Sequence, residues 1–184
     1  FNYGYGIVID YSSNNIVINN TATDNYSDGI HLGDSHNNLL IQNHASKNHL
    51  SGISIIGNNN TLHNNTASNN RSAGIGISGR GNVLRGNNMT GNRYNFRVND
   101  EFMLHDINPS NLVDGKRVYL LSNKQDIIID PLTFPDVGFL GIINSTRVTV
   151  RNITVTNNWK GVLLVRITNS TIENVNVANN DVGI

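Results

Sequence analysis

The chain has 184 residues, 13 basic and 13 acidic side chains, a formal net charge of zero and no cysteine. That balance provides no basic stripe for a nucleic-acid backbone, no apolar run of about 18 residues to span a membrane and no disulfide framework to report a redox compartment. With 38% apolar and 14% charged residues, it suits a narrow-cored solenoid better than a compact globule.

From the N-terminus the chain repeats itself. Gly6-Ile7-Val8-Ile9 returns as Gly29-Ile30-His31-Leu32, Gly52-Ile53-Ser54-Ile55 and Gly74-Ile75-Gly76-Ile77, at spacings of 23, 23 and 22 residues. Self-similarity at such a period marks a stacked repeat architecture. Alignment on Ala22, Ala45, Ala67 and Met89 places Asn15, Asn38, Asn60 and Asn82 in one column. Asn20, Asn43, Asn65 and Asn87 fill a second, and Asn25, Asn48, Asn70 and Asn92 a third. Val17, Leu40, Leu62 and Leu84 form an apolar column. Runs of three to five apolar residues are too short for helices and suit strands, while asparagine tolerates the left-handed backbone of tight corners. Three strands and three corners per repeat predict one triangular coil of a parallel β-helix, with stacked asparagines forming amide ladders. A leucine-rich repeat has a similar period, but its helical return segment is incompatible with Asn19-Asn20-Thr21-Ala22-Thr23-Asp24-Asn25. The alignment also sets Asp24 over Lys47, an expected surface ion pair.

The repeat weakens after Asn95-Phe96-Arg97-Val98. The interval 99–137 contains all three prolines, Pro109, Pro131 and Pro135, and Leu112 to Leu120 reads as a hairpin around Asp114-Gly115. The phrase resumes as Gly138-Phe139-Leu140, Gly161-Val162-Leu163-Leu164 and Gly183-Ile184. The expected organisation is a first β-helix block at 1–98, an interruption at 99–137 and a second block at 138–184, continuous with the first. Starting at Phe1 without methionine and ending as another coil begins, the chain reads as part of something longer, or as a body whose open ends meet neighbouring copies.

The Gly-Ile-X-Ile and Asn-X-Leu-X-X-Asn phrasing resembles right-handed parallel β-helix repeat proteins. More narrowly it is similar to the NosD-like repeat proteins of archaeal, especially methanogen, cell surfaces, and the segment Asn111 to Leu121 resembles a linker phrase between their repeat blocks. The resemblance implies carbohydrate-binding proteins, sugar hydrolases, surface-layer or sheath components, or periplasmic copper-handling proteins; a fold does not choose among them.

Sugar cleavage needs converging carboxylates. Asp10, Asp24, Asp28 and Asp34 fall in four different columns, leaving Asp100, Glu101, His105 and Asp106 in the interruption as the catalytic candidates, against the reading of a solvated polar loop. For copper, no histidine column repeats, which leaves Met103 with His105 as candidate ligands. The tyrosines Tyr3, Tyr5, Tyr11 and Tyr26 present rings to sugars or cover an open end. Sequons occur at Asn19, Asn25, Asn59, Asn64, Asn70, Asn88, Asn144, Asn152 and Asn169 and mark glycosylation candidates in an exported chain. The sequence thus predicts a non-enzymatic structural or interaction protein, extracellular or on a cell surface, that self-associates. No cofactor, nucleic acid or membrane span is expected, and carbohydrate is the alternative ligand.

Overall fold

Every apolar run in the repeat has the length and alternation of a short strand, and strands are what form. A computed structural model describes residues 2–99 and 105–184, in which parallel sheets stack into an all-β solenoid of about eight turns. Ile7–Asp10, Ile30–Gly33, Ile53–Ile56, Ala73–Ser78 and Tyr94–Val98 build the first sheet. Ile16–Ile18, Leu39–Ile41, Thr61–His63, Val83–Arg85 and Asp106–Ile107 build the second. The third begins with Thr21–Thr23, His44–Ser46, Thr66–Ser68, Asn88–Thr90 and Leu112–Val113.

The pairing register reproduces the sequence columns. Val17 lies beside Leu40, Leu40 beside Leu62 and Leu62 beside Leu84, with Ile107 as a fifth member. Ala22, Ala45, Ala67 and Met89 stack likewise and continue into Val113. These side chains point inward and are buried, so each coil adds one apolar layer to a common core.

The corners divide two tasks between adjacent residues. The residue before each ladder asparagine has a left-handed backbone, as at Asn14, Asn37 and Asn59 with φ of 63°, 54° and 56°. The fourth coil places Gly81 there at 66°, just as Gly86 and Gly91 follow Asn64 and Asn69 in the other corners. Asparagine or glycine fills most positions of these columns because both enter that region at low cost, with Asp24, Gln42 and Lys47 at the rest. The following asparagine is absent from the left-handed set and points its amide inward instead. Asp24 and Lys47 belong to the left-handed column and make no ion pair with each other; Asp24 accepts a bond from the Thr23 hydroxyl.

The repeat glycine follows from the ladder. A Cβ at Gly52 would lie 2.6 Å from Asn70 Nδ2 and 2.9 Å from the Ala67 methyl. Glycine, asparagine and alanine are therefore one interlocked set, and in the second block Gly161 lies against Asn180 in the same way, with Val177 in place of the alanine.

The interruption is shared between the two blocks. Asp106–Ile107 and Leu112–Val113 complete a fifth coil. The chain then turns at Asp114 and Gly115, both with positive φ, and Lys116–Ser122 runs antiparallel to Leu112–Val113. Consecutive positive-φ residues are the twist-matched loop of a two-residue hairpin. Lys116–Ser122 pairs in parallel with Val137–Arg151, which pairs with Val162–Thr168, so the second block continues the same sheet with reversed strand polarity. Val118, Phe139 and Ile143 face the first core, while Tyr119, Leu140 and Ile142 face a second one. This sheet is a wall between two cores, and on its first-core side Phe139 meets Phe96 edge-on, ring centroids 5.0 Å apart.

Two substitutions separate the corner roles. Asn48→Ala removes the partners of Asn25, Ala22 and Asn70 and is expected to cost on the order of 3 kcal/mol in urea unfolding. Asn69→Gly, which copies Gly91, is expected to change stability by less than about 0.5 kcal/mol. Equal effects would contradict the division.

Candidate functional site

In the strand Ile30–Gly33, Ile30 and Leu32 are buried, which turns His31 to the outer face of the first sheet. Its Nδ1 lies 3.1 Å from Asp28 Oδ2 and its Nε2 3.9 Å from Asp10 Oδ1. Tyr5 stacks on the imidazole at 4.7 Å. Asp28 is itself fixed, because its other oxygen accepts the Ser51 backbone N–H at 2.7 Å. Asp10 lies opposite Gly33 in the register, and any side chain there would collide with the Asp10 carboxylate. The hydrogen bond to Asp28 raises the His31 pKa; burial opposes it, and attraction to Asp28 and Asp10 adds to it, so the net shift is upward. An imidazole held by one carboxylate and facing another can hold or exchange a proton. Among the described residues, no three His, Asp, Glu or Cys side chains group as a cation site.

One corner along, Tyr26 stacks on His49 at 4.8 Å, and His49 Nδ1 lies 3.2 Å from an Arg71 guanidinium nitrogen. The second block has a polar groove of about 480 Å³ lined by Lys124, Gln125, Asn144, Arg166 and Thr168 among others.

Parallel sheets in register, apolar inner columns and amide-filled corners describe one architecture, and residues 1–124 match the family model of the right handed beta helix region. The chain belongs to the right-handed β-helix family. No curated protein and no solved structure matches it.

Within this β-helix the ladders take up most of the residues singled out from the sequence. Asn15, Asn38, Asn60 and Asn82 form the first, and the Asn82 N–H ends it on His105 Nδ1 at 3.3 Å. Asn20, Asn43, Asn65 and Asn87 form the second, which continues into Asn111. Asn25, Asn48, Asn70 and Asn92 form the third, preceded by Asn2 and ended by Asn95. His36 is a further rung, accepting the Asn58 N–H at 2.9 Å.

Of the proposed acid–base residues, Asp100 and Glu101 lie outside the described residues, as does Met103. His105 Nδ1 accepts the Asn82 N–H at the end of the ladder, while its neighbour Asp106 turns outward to pair with Arg85. The Asp10–Asp28–His31 group was not apparent from the columns, because its members occupy three different columns, Asp28 before the strand, His31 on it and Asp10 on the neighbouring coil. Its sequence signals are Asp28-X-X-His31 across a corner and the missing side chain at Gly33. Among the sequons, Asn25 and Asn70 are buried ladder members whose amides are engaged. Asn19, Asn59, Asn64, Asn144, Asn152 and Asn169 are exposed left-handed corner residues, and Asn88 is half-buried.

The hairpin residue Asp114 joins the blocks. Its carboxylate accepts bonds from Asn95 at 2.7 Å, Asn157 at 3.0 Å, the Gly91 N–H at 3.0 Å and the Thr90 hydroxyl at 3.2 Å. Burial pushes its pKa up, but these four donors together outweigh burial and hold the carboxyl below the usual range.

Two pH effects follow. The folded-state pKa of His31 lies above its ordinary 6.5, so its stabilisation is complete below that pH and fades as pH rises through the folded value. The stability difference between wild type and His31→Gln, from urea unfolding at several pH values, should therefore shrink with rising pH. Asp114 has the opposite sign: its contribution is present above 3.8 and is lost as pH falls through its lower folded value. Asp114→Ala should cost on the order of 2 kcal/mol, and hydrogen exchange should then accelerate in the second block before the first.

Proposed function

We propose that this β-helix is a non-enzymatic structural or interaction element outside the cell, part of a surface layer, sheath or filament. The observation that carries the reading is the set of three buried amide ladders running the length of the first block. They lock every corner to its neighbours and make a stiff rod of low charge, the properties of a load-bearing repeat. The same reading includes association with further copies of this chain, end-on or lateral. Purified protein should melt above the roughly 45–65 °C of mesophilic domains and form rods in electron micrographs. Dispersed particles at every concentration would count against end-on assembly, and an ordinary melting point against the mechanical role.

A carbohydrate-binding reading is favoured by one feature, the exposed Tyr26 ring stacked on His49. Titration with neutral and acidic oligosaccharides should then quench tyrosine fluorescence in the wild type and not in Tyr26→Ala; no quenching in either would discard it.

A further inference from the structure

Six of the sequons share one local geometry. Asn19, Asn59, Asn64, Asn144, Asn152 and Asn169 are exposed corner residues with φ between 47° and 56°. In each, the next residue turns inward: Asn20, Asn60 and Asn65 into the ladders, Ser145 and Ser170 onto backbone, Ile153 into the second core. The third residue is threonine every time, Thr21, Thr61, Thr66, Thr146, Thr154 and Thr171, and none of these is buried. Among the described residues the side chains of Asn19, Asn59, Asn64, Asn152 and Asn169 make no hydrogen bond, and Asn144 commits one amide hydrogen to Asn123. The Oδ1 atoms of Asn59 and Asn64 lean over Gly81 and Gly86, bare positions on the next coil where a Cβ would collide with them. The other sequons differ. Asn25 and Asn70 have serine at the third position, Ser27 and Ser72, and their amides are buried in the third ladder. Asn88 is half-buried within the third sheet, between Thr66 and Leu112.

Spacing along the axis is equally selective. Coils repeat at about 4.8 Å, too close for sugars on neighbouring rungs. The rungs beside Asn59, Asn144 and Asn152 also carry left-handed asparagines, Asn37, Asn123 and Asn174. Yet Leu39, Gln125 and Asn176 stand opposite Thr61, Thr146 and Thr154, so none of the three is a sequon. Asn19 and Asn64 share a corner but are separated by Gln42, and Asn169 lies beside Arg147. No two of the six are adjacent in a column.

We propose that the folded β-helix carries N-linked glycans on these six corner asparagines and none on Asn25, Asn70 or Asn88. The donor is an oligosaccharide activated on a polyprenyl diphosphate. An Nδ2–C1 bond forms, the C1–O bond to the diphosphate breaks with its electron pair leaving on the diphosphate, and the amide gives up one proton. A sugar at the corners disturbs no ladder, whereas on Asn70 it would displace the bonds to Ala45 and Asn92. In the first block the glycans border the second sheet, because Asn59 and Asn64 bracket Thr61–His63 and Asn19 follows Ile16–Ile18. The outward asparagine of the third corner, Asn69, has Arg71 in the threonine position. The modification rests on the extracellular reading, since sequons are used in exported chains.

Site-resolved glycopeptide mapping of folded protein recovered from the cells that make it should find sugar on the six corners only. Thr66→Ala and Thr154→Ala, both changes on the outer surface, should each remove one glycan, at Asn64 and Asn152, and Ser72→Ala should remove none. Sugar on Asn25, Asn70 or Asn88, a glycan kept in either threonine variant, or bare corners in protein from the cell exterior would overturn the proposal. Bare corners in protein found only inside the cell would overturn the extracellular reading and this modification with it.

Discussion

Everything in the first block depends on the way one buried amide group is satisfied. The Asn48 oxygen accepts from both the backbone N–H and the side-chain amide of Asn25. Its Nδ2 donates forward to Asn70 and back to the Ala22 carbonyl. Two donors and two acceptor sites are all used, so a strongly polar group sits in a dry interior without the usual penalty. The same geometry claims the space where a Cβ would stand at Gly29, only 2.5 Å from that nitrogen. Glycine in the strand and asparagine at the corner are two halves of one contact, and the repeat that betrays the fold is its trace in sequence.

The second block keeps the shape with different chemistry. Asn158 and Asn180 make one amide rung. Elsewhere Ser145 and Ser170 accept backbone N–H groups from the preceding coil, a smaller acceptor doing the same service. The long strand Val137–Arg151 bends at Asn144 and Arg147, both left-handed. Side chains other than asparagine therefore meet the same demand: polar backbone at each corner must find a partner one coil away.

Sequence reading recovered the columns because stacked strands convert vertical contact into fixed spacing. It lost them where spacing changed. Asn111 continues the second ladder after 24 residues and Asn95 ends the third after three, neither at the repeat interval. The Asp114-Gly115 hairpin was legible from its turn residues, yet not its effect, since a reversal of strand polarity leaves the hydrophobic pattern of Val118 and Phe139 unchanged. The cluster around His31 escaped for a different reason. Its three groups occupy unlike columns, and Asp10 approaches the Asp28–His31 pair over the vacancy that Gly33 leaves.

The reversal at Asp114 has a bearing on how such a protein changes length. Duplicating one 22-residue unit in the middle of the first block would push its far end outward by about 4.8 Å. The knot of Asn95, Asp114 and Asn157 would stay as it is, because its members all sit at the seam. Either arm can thus be extended or trimmed by whole turns without renegotiating the joint, which makes reach a heritable dimension and the seam a constant.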